Sequence, residues 1–340
     1  MKILVAGGAG YIGSHTVAEL LRQNFEVVVF DSLSSGHQIA VSCPVAKGNL
    51  LCKEEINRVF EKNTFDAVIH FAAFAAAGES MKDPAKYFEN NIQGGVNLLE
   101  AMRKNSVNKI VFSSTCAIYG FPDKLPVVED ESKKPVSVYG ESKLIFEKVL
   151  SWYDQLFGIK SVCLRYFNAA GASLDGSIGE DKEPLTNIIP VAMKAALARL
   201  DSRNARQGQT EKFTLFGDDY STPDGTCIRD YIHVLDLASA HIKALSYLDK
   251  ENKSNFFNVG TGKGYSNKEV LDMVKKVSKV DFKIEIGPRR AGDPDAVYAD
   301  NTKIKKVLGW EPKYSDLETI IKTAWNWHKS HPGGYENERR

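Results

Sequence analysis

Tyr139 and Lys143 are the residues of this chain whose types and spacing most directly suggest acid–base chemistry. Residues four apart on a helix share one face, so the phenol and the ammonium would lie side by side. A free tyrosine has a pKa of about 10, which places the phenolate roughly 4 kcal/mol above the phenol at pH 7. Because a neighbouring ammonium favours the phenolate, the pair could act as a base that removes a proton from an alcohol.

A cluster of hydroxyl groups, Ser113, Ser114 and Thr115, lies upstream of this pair, at the end of an apolar run that predicts a strand. Thr115 could hold the oxygen of the same alcohol. A tyrosine and a lysine on one helix face are a weak signal alone, because both residues are common at solvated helix surfaces. Their meaning depends on what else the fold brings to the same edge of the sheet.

Three glycines near the start of the chain, Gly7, Gly10 and Gly13, have the spacing G-x-x-G-x-x-G. An apolar run at 3–6 predicts a strand before them, and a helical pattern follows them to Leu21. This layout directs amide groups and a positive helix end at a pyrophosphate. Gly7 permits the tight turn, Gly10 lets the backbone approach the phosphates, and Gly13 lets the helix pack closely on the strand.

A second predicted strand, at 26–30, ends in Asp31, whose carboxylate can accept a hydrogen bond from a ribose 2′-hydroxyl. No arginine stands near it, which favours NAD over NADP. A glycine turn without a ligand is the alternative, but the strand, helix and acid in register favour a dinucleotide site. Together with Tyr139 and Lys143, this site predicts hydride transfer between a secondary alcohol and a nicotinamide, whose positive ring also favours the phenolate.

The elements that must position these groups alternate along the first half of the chain. Apolar runs at 44–47, 65–71, 109–113 and 161–165 predict strands, and helical patterns at 53–61, 83–104 and 135–157 stand between them. A polar loop is expected at 124–135. The alternation predicts an α/β fold with a Rossmann-type doubly wound parallel sheet, which binds ligands beyond the carboxyl ends of its strands.

The pattern loosens after Gly171, which predicts a second, smaller lobe of mixed α/β structure that binds the substrate. We expect a crossing at 172–184, a strand at 212–216, a polar surface loop at 203–209, and helices near 189–200, 236–248, 267–278 and 317–328. The predicted domains are residues 1–176, which bind the dinucleotide, and residues 177–340, with part of 228–265 free to pack back on the first domain.

Composition excludes several classes of protein. The 340 residues carry 44 Lys and Arg against 43 Asp and Glu, so a net charge of +1 gives no field for nucleic acid or an anionic membrane. The five cysteines are odd in number and form no C-x-x-C pair, so we expect no disulfide framework, no metal site and a reducing cytoplasm. We find neither a signal-peptide pattern nor an apolar run of about 18 residues.

The chain resembles, nearly from end to end, the UDP-glucose (UDP-galactose) 4-epimerases of the extended short-chain dehydrogenase/reductase family. The segments that carry the resemblance are VAGGAGYIGSH, VIHFAA, GES, NNIQG, FSSTCAIYG, YGESK, LRYFNAAGA, FGDDYSTPDGTCIRDYIHV, FNVGTGKGYS and RRAGDPDAVYAD. The resemblance implies a cytoplasmic isomerase with NAD as cofactor and a UDP-sugar as substrate. It also suggests a homodimer that forms through helices near 85–104 and 136–157.

The resemblance also implies residue roles. Tyr139 would be the base, with Thr115 and Lys143 as its catalytic partners. The cofactor would be lined by Gly7, Gly10, Tyr11, Ile12, Gly13, Asp31, Ser32, Asn49, Leu50, Phe71, Ala72, Ala73, Asn90, Ser113, Tyr139, Lys143 and Phe167. The UDP-sugar would be bound by Thr115, Tyr139, Phe167, Asn168, Asn187, Ile188, Phe216, Arg229, Arg290, Asp293 and Val297. From the residues alone, Arg229 and Arg290 would instead be interpreted as surface or inter-lobe ion pairs.

The expected reaction is epimerisation at C4 of a UDP-hexose through a 4-keto intermediate. A sugar-nucleotide 4,6-dehydratase is one alternative, but relatives of that kind carry Asp-Glu directly after the threonine, where this chain has Cys116 and Ala117. A nucleotide-binding regulator without catalysis is another, which the intact tyrosine and lysine disfavour. Family members often carry a lysine where this chain has Ala75, and an aspartate where it has Asn49, so NAD retention is expected to be weaker.

Val297 bears on substrate breadth. In the family that the chain resembles, the residue four places after the substrate-binding aspartate lies beside the C2 substituent of the sugar. Valine would leave room there for an acetamido group, which predicts activity on UDP-GlcNAc and UDP-GalNAc as well. The alternative is that Val297 is simply a core-facing residue of a short strand.

Overall fold

A seven-stranded parallel sheet forms the centre of the computed structural model, which describes residues 1–200, 212–290 and 292–335. Its strands are β1 (Lys2–Ala6), β2 (Glu26–Asp31), β3 (Val45–Lys47), β4 (Ala67–His70), β5 (Lys109–Thr115), β6 (Lys160–Tyr166) and β11 (Asn255–Val259). They are ordered β3-β2-β1-β4-β5-β6-β11. The strand order reverses direction beside β1, so the carboxyl ends of β1 and β4 border the crevice where such sheets bind ligands. The predicted Rossmann-type α/β fold is confirmed.

Helices cover both faces of this sheet. The helices are α1 (Tyr11–Arg22), α2 (Lys53–Lys62), α3 (Ala77–Ser80), α4 (Pro84–Phe88), α5 (Gly94–Lys104), α6 (Val138–Phe157), α7 (Ile188–Leu200), α8 (Val234–Glu251), α9 (Asn267–Ser278), α10 (Thr302–Leu308) and α11 (Leu317–Ser330). Helices α1 and α8 pack on one face, and α2, α5 and α6 pack on the other. Alternate residues of β1 supply the two cores, with Ile3 and Val5 toward α1, and Leu4 and Ala6 toward α2.

Short strands and three helices build the remainder. Strands β8 (Phe213–Phe216) and β13 (Ile284–Gly287) pair in parallel, as do β7 (Asn168–Ala170) and β10 (Tyr231–His233). Strand β9 (Ile228–Arg229) lies between β12 (Tyr265–Ser266) and β14 (Ala296–Val297). Helices α7, α9 and α11 share a core with β8. These strands are only two to four residues long, which is why the sequence pattern predicted β8 alone among them.

Two of the predicted helices differ from those in the structure, and the short helices α3 and α10 were not predicted. The helix expected at 83–104 is three segments, because a π-helical stretch, Glu89–Gln93, separates α4 from α5. The helix expected from residue 135 begins at Val138, because the Ser137 hydroxyl accepts a hydrogen bond from the Gly140 amide at 3.1 Å and so caps it. The loop expected at 203–209 lies outside the described residues.

Strand β11 was not predicted and is the edge strand of the main sheet, paired in parallel with β6. Both β11 and α8 lie within 228–265, the part of the second predicted domain for which we allowed packing on the first domain. The domain boundary at 176/177 remains a proposal. None of the helices in the described ranges combines the length and the apolarity that crossing a bilayer requires.

Candidate active site

Tyr139, Lys143 and Thr115 meet where β5 ends and α6 begins. Thr115 is the last residue of β5, and its hydroxyl accepts a hydrogen bond from the Ala117 amide at 3.2 Å. Tyr139, buried on the first turn of α6, has the Thr115 hydroxyl as a neighbour that lowers its pKa. Lys143, only 3% exposed, donates from Nζ to the Ser113 carbonyl oxygen at 2.8 Å. The structure therefore brings the three predicted catalytic side chains together.

Burial controls the ionisation of this pair. It raises the pKa of Tyr139 to about 12, while the hydrogen bond from Thr115 acts in the opposite direction. Burial also lowers the pKa of Lys143 to about 7, and the neighbouring Cys163 and Glu147 partly oppose that shift. We expected Lys143 to lower the Tyr139 pKa, but Lys143 is not among the groups that shift it here; burial dominates, because a buried phenolate has lost its hydration.

The glycine loop fits a pyrophosphate. Gly7 has a φ of +79°, and a Cβ there would lie 2.4 Å from the Ala72 amide nitrogen, so the fold itself requires glycine. A Cβ on Gly13 would lie 2.3 Å from the Gly7 carbonyl oxygen, so any side chain at this position would prevent α1 from packing closely on the loop. Gly10 differs, because a Cβ there would meet only that oxygen, at 3.5 Å. The protein has no steric need for glycine at position 10, whereas a phosphate lying against the backbone would have one.

The amino end of α1 is suited to an anion. Gly10 is its N-cap residue and offers no side-chain cap, and the first turn carries no acidic residue. The helix therefore keeps its positive end for a ligand. Tyr11 donates from its hydroxyl to the Gly171 carbonyl oxygen at 2.6 Å, which ties this turn to the strand that follows β6. Ile12 packs against the core beneath the loop.

Asp31 lies at the carboxyl end of β2, beside the glycine loop. Its Oδ2 accepts from the Ala9 amide and its Oδ1 from the Leu33 amide, both at 2.9 Å. Burial raises the pKa of this carboxyl, and the two amides act against the shift. The hydrogen bonds fix the carboxylate at the strand end, where it can accept from a ribose hydroxyl.

A cavity of about 400 Å³ adjoins this end of the sheet. Ser32, Asn49 and Asn90 line it, and Asn90 lies on the π-helical stretch between α4 and α5. Leu50 is buried beside it, whereas its neighbour Leu51 lines the wall. The polar rim and the apolar wall suit an adenosine group.

The remaining predicted cofactor residues line the carboxyl ends of β4 and β5. The Phe71 and Ala72 amides both donate to the Ala6 carbonyl oxygen, which brings these residues and Ala73 beside the glycine loop. Ser113 lies at the same edge, where its hydroxyl contacts His241 Nε2 at 2.8 Å and its carbonyl oxygen accepts from Lys143 Nζ at 2.8 Å.

A second group of predicted residues forms the sugar-nucleotide side. The Arg290 guanidinium lies 4.2 Å from the centre of the Phe216 ring. Arg229 donates from Nη1 to the Pro294 carbonyl oxygen at 2.7 Å, and its Nη2 lies 3.5 Å from Asp293 Oδ1. The Asp293 amide in turn donates to the Arg290 carbonyl oxygen. Two arginines, one aspartate and one phenylalanine, all predicted to bind the UDP-sugar, therefore form one connected surface.

Val297 and Phe167 share an apolar cluster that adjoins this surface. Val297, on β14, pairs in register with Arg229 on β9. It is 6% exposed and shares an apolar cluster with Phe167, against which Cys116 also packs. Val297 is thus a core-facing residue of a short strand, which was the alternative to a role in substrate binding. Its cluster also contains Phe167, which is predicted to line both the cofactor and the UDP-sugar.

The other predicted substrate residues are placed by neighbours that the sequence did not indicate. Asn168 donates from Nδ2 to the Asp230 carbonyl oxygen at 3.0 Å. Asn187 donates from Nδ2 to Glu180 Oε1 at 2.9 Å, and Ile188 begins α7 directly after it. Burial raises the pKa of Glu180 to about 7. Glu180 lies within 172–184, which the sequence predicted only as a crossing between the two lobes.

A buried ion pair behind the catalytic groups was also missed. Arg165 on β6 donates from Nε and Nη2 to the two carboxylate oxygens of Glu147 at 3.0 and 2.7 Å. Ser114 donates from its hydroxyl to the same carboxylate at 2.5 Å. Because Glu147 lies one turn beyond Lys143 on α6, the pair joins the catalytic helix to β5 and β6. The only signal in the sequence was the i, i+4 spacing of Lys143 and Glu147.

Comparison with known proteins places the chain among enzymes. The family model described as NAD dependent epimerase/dehydratase family matches residues 3–260, and the chain belongs to this family. It is 49% identical to the UDP-glucose 4-epimerase of Lactobacillus helveticus over 341 residues, which cover 99% of this chain and 100% of that protein.

Solved structures agree with this placement. The UDP-glucose 4-epimerase of Brucella ovis in complex with NAD is 46% identical and has a TM-score of 0.90, with 95% of this chain and 97% of that chain covered. The UDP-Glc/GlcNAc 4-epimerase of Campylobacter jejuni is 45% identical with a TM-score of 0.82, with 97% and 99% covered.

Proposed function

We propose that this protein is an NAD-dependent isomerase that interconverts UDP-galactose and UDP-glucose. The observation that carries the proposal is the joint position of Tyr139, Lys143 and Thr115 beside the glycine loop, at the carboxyl edge of the Rossmann sheet. The identity of 49% with a UDP-glucose 4-epimerase over almost the whole of both chains supports the same reaction.

NAD fits the residues that would hold it. The glycine loop and the amino end of α1 would receive the pyrophosphate, Asp31 a ribose hydroxyl, and the cavity near Asn90 the adenosine group. When bound, NAD supplies a nicotinamide ring that accepts hydride from C4 of the sugar and returns it to the opposite face. The cofactor is unchanged over the whole cycle, so the enzyme gains from retaining it.

Tyr139 would move the proton that accompanies each hydride. Its phenolate removes the proton of the 4-hydroxyl during oxidation, and the phenol returns it during reduction. Thr115 holds the same sugar oxygen. Because burial raises the pKa of Tyr139 to about 12, the phenolate needs positive neighbours. Lys143 lies one helical turn away and is partly protonated at pH 7, since burial lowers its pKa to about 7, and the nicotinamide ring of NAD⁺ would supply a second positive charge.

The UDP part of the substrate would lie on the surface formed by Phe216, Arg229, Arg290 and Asp293. Guanidinium groups suit a pyrophosphate because they can donate two parallel hydrogen bonds. Asp293 is suited to the uridine ribose diol, and the Phe216 ring to an apolar contact. Asn168, Asn187 and Ile188 would complete the site near the sugar.

Incubation of the protein with UDP-galactose alone tests this function against its two alternatives. The expected product is UDP-glucose. A stable keto sugar would indicate a 4,6-dehydratase, which Cys116 and Ala117 disfavour because desolvation raises the pKa of the Cys116 thiol to about 12 and keeps it neutral. Binding of UDP without turnover would indicate a regulator.

Lys143→Ala should lower kcat at pH 7 and move the pH optimum upward. Loss of a favourable charge raises a neighbouring pKa by about 1 to 3 units, so we expect a loss on the order of 10- to 10³-fold. The measurement is kcat for UDP-galactose from pH 6 to 10. Lys148→Ala, on the exposed side of α6, is the matched control. An unchanged pH optimum in Lys143→Ala would mean that this lysine does not tune the base.

Activity on N-acetylhexosamines is part of the proposal. The similarity to a UDP-Glc/GlcNAc 4-epimerase and the contact cluster of Val297 with Phe167 support it. Val297→Tyr would overpack this site, at a cost of about 1–3 kcal/mol where an acetamido group must fit, which corresponds to roughly 5- to 150-fold. The measurement is the ratio of kcat/KM for UDP-GalNAc to that for UDP-galactose. This ratio is insensitive to the amount of folded enzyme. Absence of N-acetyl turnover in the wild type, or an unchanged ratio in the variant, contradicts the prediction.

We also propose a homodimer that forms through α4, α5 and α6. Trp152 and Leu156 lie one turn apart on α6 and are 60% and 65% exposed, and Phe88 is exposed on α4, which packs against α6. Exposed apolar groups of this size mark interaction surfaces.

Light scattering should give twice the mass of the 340-residue chain for the wild type, and the mass of one chain for Trp152→Glu combined with Leu156→Glu. Ile286→Glu is the matched control, because Ile286 is 52% exposed but lies on β13, far along the chain. A monomeric wild type, or a double variant that remains dimeric, overturns this assignment.

A cytoplasmic location completes the proposal. All five cysteines are free in the structure, as expected for a reducing compartment. Fractionation of cells that express the protein at its natural level would test this location.

A further inference from the structure

A chain of hydrogen bonds joins helix α8 to the predicted catalytic lysine. His241, fully buried on α8, has Nδ1 2.8 Å from the Leu237 carbonyl oxygen and Nε2 2.8 Å from Ser113 Oγ. The Ser113 carbonyl oxygen accepts from Lys143 Nζ at 2.8 Å. Every member of this chain is buried.

The direction of each bond follows from the chemistry of the atoms. A carbonyl oxygen can only accept, so His241 Nδ1 carries the proton and donates to Leu237. Burial keeps the ring neutral, so Nε2 has a lone pair and the Ser113 hydroxyl donates to it. The Ser113 side chain is therefore held by a residue 128 positions away.

The segment held in this way has little other support on one side. The pairing of β5 with β4 ends at Phe112, whereas its pairing with β6 continues to Thr115. Residues 113–115 thus extend beyond β4 while they carry Thr115 and the carbonyl oxygen that holds Lys143. Ser114 is bonded to Glu147 on the α6 side of the sheet, and Ser113 to His241 on the α8 side.

We propose that His241 is a positioning residue for the epimerase reaction, which rests on the function proposed above. By holding Ser113 it fixes the carbonyl oxygen that orients Lys143 beside Tyr139. It touches neither substrate nor the reacting atoms. Its ring also lies 4.6 Å from the ring of Phe71, so the same contact reaches a residue predicted to line the cofactor.

Two substitutions at His241 separate positioning from packing. His241→Asn keeps an amide donor near the Nδ1 position but has no atom at the Nε2 position, so it should lose Ser113. His241→Gln carries its amide oxygen to the Nε2 position and should retain Ser113. Without this bond, Lys143 Nζ should be displaced by up to about 1 Å from its position in the wild type. We therefore expect His241→Asn to lower kcat for UDP-galactose roughly 10- to 100-fold. KM should stay within about twofold, because the substrate contacts are untouched.

The pH profile is the readout that a purely structural role would not move. The titratable groups around Lys143 are Glu147 on α6, His70 on β4 and Cys163 on β6. Tyr166 on β6 lies near His241, and its pKa responds to Ser113 and Tyr139. None of them is altered in the variants. His241→Asn should therefore move the pH optimum of kcat upward, as Lys143→Ala should. His241→Gln should keep most of the wild-type kcat and a pH profile close to that of the wild type.

Ser113→Ala breaks the same hydrogen bond without a change in α8, and it keeps the inference testable if His241→Asn does not fold. It should match His241→Asn in kcat, and combining the two should cause no further loss. Equal losses in the Asn and Gln variants, or lowered thermal stability with unchanged kcat and pH profile, overturn the inference alone. A wild-type protein that does not convert UDP-galactose overturns the proposed function, and this inference with it.

Discussion

Tyr139→Phe should fold, bind UDP and turn over UDP-galactose 10²- to 10⁴-fold more slowly than the wild type, the range typical of a positioned acid–base group. The ring would still pack in its buried site, and only the hydroxyl is lost. The 4-hydroxyl of the sugar would then have no base at its oxygen when hydride leaves C4. The measurement is kcat from steady-state conversion, with UDP affinity determined separately by calorimetry.

Tyr153→Phe is the matched control for this experiment. Tyr153 lies on the same helix, α6, and donates its hydroxyl to Glu100 at 2.8 Å, away from the site. Its substitution should leave kcat within about twofold, since surface hydrogen bonds contribute only about 0.5–1.5 kcal/mol to stability. Near-wild-type activity in a folded Tyr139→Phe protein would remove Tyr139 from its proposed role.

Acidification from pH 7 to pH 5 should lower the free energy of unfolding. His70, His233 and His241 are buried, and burial lowers their pKa values to about 3, 4 and 4. The geometry of His233 explains why, because its Nδ1 accepts a hydrogen bond from the Leu235 amide and has no room for a proton. Lys143 adds repulsion to the charged form of His70.

The direction in which stability changes with pH follows from the pKa of histidine in the unfolded chain. An unfolded histidine has a pKa of about 6.5, so below that pH the unfolded chain binds protons that the folded chain refuses. The stability from the neutral folded form is fully present above pH 6.5 and is lost as the pH falls toward 4. At pH 5 each of these histidines accounts for about 2 kcal/mol, against the 5–15 kcal/mol typical of proteins. His15 and His328, whose pKa values burial also lowers to about 4, act in the same direction. Glu180, whose pKa burial raises to about 7, acts in the opposite direction.

Urea unfolding at pH 7, 6 and 5 measures this loss. His241→Gln is the internal control, because one titrating group fewer should reduce the loss between pH 7 and pH 5 by about 2 kcal/mol. A free energy of unfolding that stays level between pH 7 and 5 would show that these histidines do not carry the pH dependence.

The first half of the fold could be predicted because its information is local. Strands buried on both faces appear as continuous apolar runs, and the glycine loop records a turn, a close approach and a helix start within 15 residues. Strand β11 could not be predicted in the same way. Its neighbour β6 lies about 90 residues earlier, and the segment FNVG after a long helix has no period that distinguishes it from a loop.

The sequence by itself determined the Rossmann sheet, the dinucleotide loop and the candidate pair Tyr139 and Lys143, because spacing along a strand or a helix sets which side chains share a face. Tertiary structure decided how that pair is held and charged. Glu147 with Arg165 and His241 with Ser113 are bonded across 18 and 128 residues, respectively. Burial, which shifts the pKa of both members of the pair, is a property of everything packed around them and is encoded at no single position.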